Sequence, residues 1–184
     1  LELLKEIHKV NKNIVLVVMS GRPLDLTWED KHIPSILQAW QLGSKSGDAI
    51  ANVLFGDYNP SGKLTMSFPR NVGQVPVYYN FKNTGRPSTS IEQVTNSGYA
   101  DVENSPLYSF GYGLSYTSFS YSNLSIDNDN MNKTSSIKAS IELSNTGSRK
   151  GKEVVQLYIR DVVGSIARPM KELKGFKLIE LNPG

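Results

Sequence analysis

The run from Ala49 to Pro69, AIANVLFGDYNPSGKLTMSFP, dictates a helix, a turn and a strand in immediate succession. Ser46 is placed to cap the helix, and Ala49, Ile50, Val53 and Leu54 fall at the spacings of an apolar helical stripe. Gly56 supplies the left-handed residue on which such helices end. Asp57-Tyr58-Asn59-Pro60-Ser61-Gly62 is a dense turn signal, with proline fixing one dihedral and glycine free to take a positive one. Asp57 and Asn59 sit where their side chains are expected to bond the turn's own backbone, a structural role. Leu64, Met66 and Phe68 then alternate with Lys63, Thr65 and Ser67, the period of a half-buried strand that Pro69 stops.

The segments before this run fit the same layered plan. Leu1–Asn11 carries a helical stripe, and Ile14–Met19 is a continuous apolar run suited to a strand covered on both faces. Ser20–Ile33 reads as a polar loop, and Ser35–Trp40 as a short buried strand. Together they predict part of an α/β sheet. Arg70–Ser105 is rich in Asn, Gly, Pro, Ser and Thr with weak periodicity, the composition of a linker or binding loop. From Tyr116 the pattern turns all-β. Strands are predicted around Phe119–Ile126, Ile137–Leu143, Val154–Ile159 and Leu173–Leu181, with turns at Asp127–Lys133 and Asn145-Thr146-Gly147.

Composition narrows the function classes. The 184 residues allow one ordinary domain or two small ones, and no apolar run approaches the roughly 18 residues of a membrane span. Net charge is +3, with basic residues scattered. The densest group, Arg149-Lys150-Gly151-Lys152, falls in a predicted turn without an aromatic platform, which argues against nucleic acid as a partner. Zero cysteines exclude disulfides, thiolate metal sites and a cysteine nucleophile. Leu3, Leu4, Ile7 and Val10 form a helical stripe with no cap before it, and Leu181-Asn182-Pro183-Gly184 is a turn signal. Both ends lead us to expect a piece of a larger protein.

Further stretches carry a family resemblance. Asn13–Pro23 (NIVLVVMSGRP), the Ala49–Pro69 run, Asn71–Pro87 (NVGQVPVYYNFKNTGRP), Pro106–Phe119 (PLYSFGYGLSYTSF) and Arg168–Phe176 (RPMKELKGF) resemble, in order, the C-terminal part of glycoside hydrolase family 3. The likeness is to its periplasmic β-glucosidase type. The resemblance implies an α/β region followed by an all-β one. Residues 1–70 would be the end of an α/β sandwich domain, 71–105 an interdomain strap, and 106–184 an incomplete fibronectin-type-III-like β-sandwich. It implies a parent that removes terminal β-linked glucose or xylose with retention, through two carboxyl groups roughly 5–5.5 Å apart. In the family the nucleophile is an Asp in an N-terminal barrel, and the acid/base Glu precedes the strand ending in Gly-Arg-Pro. No catalytic residue is therefore carried onto this chain, which is expected to be inactive scaffolding by itself. No metal or organic cofactor is implied. The implied partners are a β-linked oligosaccharide and the barrel domain; the implied location is the periplasm or exterior of a Gram-negative bacterium. The alternative is a non-catalytic β-sandwich module that binds carbohydrate or a partner.

Local candidates are few. Asp25, Glu29, Asp30 and His32 lie in one predicted loop, but a solvated turn explains them better than a metal site, which needs three or four converging ligands. Trp28 could stack on a sugar, whereas Trp40 reads as core. The better candidate is Tyr78–Arg86, in which Tyr79, Asn80, Lys82, Asn83 and Arg86 combine an aromatic face, amides and cations. These residues could edge the aglycone side of a cleft; the competing reading is a strap whose tyrosines pack inward. An open half-sandwich would also expose apolar surface and an unpaired edge, so self-association into a homo-oligomer is expected.

Overall fold

A computed structural model describes residues 1–87 and 97–184. The first region runs α1 (Glu2–Val10), β1 (Val15–Val18), α2 (Thr27–His32), β2 (Ser35–Gln38) and α3 (Ser46–Leu54). β1 and β2 pair in parallel, Val15 opposite Ser35 through Val18 opposite Gln38. Val18, Leu26 and Phe68 form the buried core, with Leu16, Ile36, Trp40, Leu64, Leu107 and Tyr108 packed around it. Phe68 is the anchor, 1% exposed and set between the rings of Trp40 and Tyr108 at centroid distances of 5.7 and 6.1 Å.

Several local expectations are revised. β1 is covered on one face: Val18 is buried, while Val15 is 53% and Met19 60% exposed. Val18 and Leu16, on the covered face, pack in the core built around Phe68. The predicted loop 20–33 contains α2, whose six residues are too short to show periodicity; Asp25 Oδ1 accepts the Thr27 amide at its start. Ser46 does not cap α3. The cap position is Lys45, without a side-chain cap bond, and Ser46 is the first helical residue. Gly56 does take the left-handed conformation after α3, at φ 84°.

Residues 64–68 do not make a regular strand. Leu64 N donates to Tyr112 O and Gly111 N to Leu64 O, both at 2.7 Å, and Phe68 and Tyr108 form an isolated bridge. Between these contacts the alternation fails: Met66 is 52% exposed, whereas Ser67 is buried at 7%. The cause is the Ser67 hydroxyl, which accepts the Phe110 amide at 3.2 Å and draws Ser67 inward.

The second region contains β3 (Phe119–Ile126), β4 (Ala139–Asn145), β5 (Gly151–Ile159) and β6 (Glu172–Leu181). β3 pairs antiparallel with β4, and β5 with β6. Each ladder has one register shift, between Ser122 and Ser125 and between Leu157 and Tyr158. At the first, Asn123 sits at φ 52° and donates its amide to Glu142 at 2.7 Å. Asn145, 1% exposed, joins the two ladders: its amide donates to Arg149 O and Leu181 O, and its Oδ1 accepts from Thr117 Oγ1 and Gly147 N. Leu124, Leu157 and Phe176 are 70%, 50% and 73% exposed. The architecture is thus a partial α/β layer followed by an all-β region.

Polar ties fasten the two regions. Asn59 donates to Lys150 O at 3.1 Å and accepts from Ser115 Oγ and Tyr116 N at 2.9 and 2.8 Å. Its role is structural, yet its partners lie across the junction and not in its own turn. Lys63 pairs with Glu153 at 3.1 Å, both side chains nearly buried, and donates to Gly113 O at 2.7 Å. A Cβ at Gly113 would overlap the Gly62 carbonyl, so glycine is what lets the two backbones approach.

Candidate binding site at the strap

The connecting segment leaves Phe68 through a closed neck. Gln74, 2% exposed, accepts the Arg70 amide at 2.6 Å on its Oε1 and donates to Glu103 O at 2.7 Å. Tyr99 OH donates to Gln74 O at 3.2 Å. The Arg70 guanidinium donates to Ser105 and pairs with Glu103 at 3.0 Å. One buried amide, aided by one arginine, therefore holds together two stretches far apart in sequence.

Beyond the neck the segment lies along the β5–β6 hairpin. Met170 N donates to Phe81 O at 2.8 Å, and Lys82 forms a bridge with Pro169. Tyr79 is half-buried: its ring stacks on Phe110 at 4.2 Å and meets Tyr158 edge-on at 6.3 Å, and its hydroxyl accepts the Leu173 amide at 3.4 Å. Asn80, Lys82, Asn83 and Arg86 are exposed. Of the five candidate residues, then, Tyr79 packs inward and the amides and cations face outward.

Next to Tyr79 lies a cleft of about 360 Å³, lined in part by Ser109, Tyr112, Tyr121, Gln156, Tyr158 and Lys171. Tyr112 stacks on Tyr108 at 5.4 Å, and Tyr121 OH donates to Glu153 at 3.1 Å. Burial, then the Glu153 carboxylate, pushes the Tyr121 phenol up to about 12. Burial likewise raises Tyr158, whose hydroxyl donates to Gln156 Oε1 while the Gln156 amide donates to Gly111 O. Sequence reading missed this cleft because its rings come from three separate segments. The one visible signal is the density of tyrosines at 108, 112, 116 and 121.

The loop acids form no centre of their own. Among the described residues no three His, Cys, Asp or Glu side chains converge as a metal site. Asp30 accepts from Tyr108 OH at 2.6 Å, and burial with this bond drives the Tyr108 phenol far up. Trp28 is half-buried: His32 stacks on it at 4.4 Å, His8 meets it edge-on at 5.6 Å, the Lys5 ammonium lies 5.9 Å from the ring centroid, and the residue lines a hollow of about 430 Å³ with Asp25, Glu29 and Lys31. Slight desolvation and the nearby Lys12 hold His8 below the usual imidazole range. Trp40 belongs to the core, as expected.

The described residues thus give a parallel β-pair among short helices, followed by an all-β region. The profile of the glycosyl hydrolase family 3 C-terminal domain matches residues 1–116, and that of the fibronectin type III-like domain matches 153–184. The chain belongs to glycoside hydrolase family 3. It is similar to the periplasmic β-glucosidase of Salmonella typhimurium, at 50% identity over the whole chain and 24% of that protein's length. It is also similar to a β-xylosidase of Formosa agariphila, at 46% identity over 24% of its length. Among solved structures, the β-glucosidase of Listeria innocua in complex with glucose superposes with TM-score 0.92 at 40% identity, covering all of this chain and 26% of that one. The chain thus spans about a quarter of the length of the relatives it matches. Among the described residues no helix is long and apolar enough to cross a membrane.

Proposed function

We propose that this chain is the C-terminal portion of a retaining β-glucosidase or β-xylosidase that acts on terminal β-linked residues in the periplasm or outside the cell. The observation that carries the reading is alignment of every residue with such enzymes at up to 50% identity. Residues 1–70 serve as the end of the α/β domain, 71–105 as the strap and 106–184 as the sandwich portion. The chain's work is scaffolding. Asn59 and the Lys63–Glu153 pair fix the angle between the two regions, and the Gln74 neck fixes where the strap emerges. In this reading Asn80, Lys82, Asn83 and Arg86 border the aglycone, and Tyr79 is the positioning residue that holds them against the sandwich. Neither of the two reacting carboxyl groups belongs to this chain, so by itself it turns over no glycoside.

The test is a chimera in which residues 1–184 replace the matching quarter of the Salmonella periplasmic β-glucosidase. We expect hydrolysis of 4-nitrophenyl β-D-glucoside by the chimera and none by the 184-residue chain alone. A folded chimera without activity, or turnover by the isolated chain, would overturn the proposal. Combined replacement of Asn80, Lys82, Asn83 and Arg86 by alanine in the chimera should raise KM for oligosaccharides more than for the nitrophenyl glucoside.

A further inference from the structure

The cleft beside Tyr79 has features that the scaffolding reading leaves unused. It is a shallow, open hollow of about 360 Å³ whose lining mixes aromatic rings with polar side chains. Tyr112 is 43% and Tyr121 44% exposed, so each presents open ring surface. Both rings are held in place. Tyr112 has one face stacked on Tyr108, and Tyr121 is tethered by its hydroxyl to Glu153. Fixed, half-exposed rings suit the apolar C–H face of a pyranose, because little side-chain freedom is lost when the ligand arrives. Polar groups stand beside them, including the hydroxyls of Ser109 and Tyr112.

The charge balance selects among sugars. The Glu153 carboxylate is already matched by the Lys63 ammonium at 3.1 Å and the Tyr121 hydroxyl. Lys171, by contrast, has its ammonium 5.6 Å from the Tyr158 ring centroid and no carboxylate partner among the described residues. The cleft therefore carries one uncompensated positive charge over an aromatic floor. We propose that this cleft binds an acidic saccharide, with a pyranose face on Tyr112 and Tyr121 and a uronate carboxylate on Lys171.

The proposal goes beyond the hydrolase reading and requires no turnover, so either can fail without the other. The full 184-residue chain is titrated by calorimetry with xylotetraose bearing one glucuronic acid, and separately with unsubstituted xylotetraose. An exposed ion pair contributes modestly, so the acidic ligand should bind about fivefold more tightly at low ionic strength. That advantage should vanish in Lys171→Met and in about 1 M salt, where screening is short-ranged. Tyr112→Ala should weaken both ligands; the salt series on the unaltered chain stands even where a variant folds poorly. Equal affinity for the two ligands, no binding of either, or an acidic preference untouched by salt would overturn the proposal.

Discussion

Asn145 offers the sharpest test of how the all-β region holds together. It is 1% exposed and makes four hydrogen bonds, to Arg149 O at 2.7 Å, Leu181 O at 3.2 Å, Thr117 Oγ1 at 2.7 Å and Gly147 N at 3.1 Å. These partners come from the β4–β5 turn, the end of β6 and the segment leading into β3. Asn145→Ala leaves all four groups unpaired in a dry setting. At about 1 kcal/mol net per bond the cost is about 3–4 kcal/mol, a large share of the roughly 5–15 kcal/mol that stabilises a domain. Asn145→Asp separates the two ends of the amide. It keeps the acceptor bonds to Thr117 and Gly147, loses both donor bonds, and turns a carboxylate oxygen toward two carbonyls. Its cost should be about 2 kcal/mol or more at neutral pH. Burial and the facing carbonyls raise the folded carboxyl above the unfolded value near 4, so the loss should shrink as pH falls from about 6 to about 4, where a protonated carboxyl can donate again, and level off below. Urea unfolding followed by far-UV circular dichroism measures both. Losses below about 1 kcal/mol for alanine, or a pH-independent loss for aspartate, would refute this account of the junction.

Other outcomes follow from the same structure. Asn59→Ala removes three ties between the regions and should cost about 2–3 kcal/mol, read as a lower urea midpoint. Phe68→Ala empties the centre of the core and should cost about 3–5 kcal/mol in the same assay. Because the folded Tyr121 phenol titrates at about 12, above its ordinary 10.0, its stabilising effect is complete below pH 10 and lost as pH rises from 10 to 12. Solvent screening at a half-exposed ring keeps that loss to about 1 kcal/mol. Unfolding midpoints between pH 9 and 11.5 should therefore fall less steeply in Tyr121→Phe than in the unaltered chain.

Much of the architecture was legible where local rules and tertiary packing agree. The strands Phe119–Ile126, Ala139–Asn145, Gly151–Ile159 and Glu172–Leu181 lie near where residue pattern and turns predict strands, although burial along them does not alternate, and Gly56 ends its helix as its residue type demands. The misreadings sit where a side chain outcompeted a pattern. Ser67 captured the Phe110 amide and broke an otherwise good strand, and α2 was too short for any periodic signal. Asn59 looked like an ordinary turn residue because nothing local reveals partners at Ser115, Tyr116 and Lys150. For the candidate site, residue types in the strap were visible, but the inward turn of Tyr79 depends on Phe110 and Tyr158, which lie far along the chain. The family likeness, resting on whole motifs, was the more readable signal.

The Gln74 neck bears on how such a protein can change over generations. With both feet of the strap pinned by one buried amide and by Arg70, the closure entropy of the intervening segment is nearly fixed. Doubling its length would cost only about 0.6 kcal/mol. Changes at Asn83, Thr84 and Gly85, which are exposed and lie beyond the contacts of Tyr79 and Phe81, can thus accumulate with little penalty to the sheet or the sandwich. The outward-facing part of the strap is free to vary while the frame that holds its two feet stays the same.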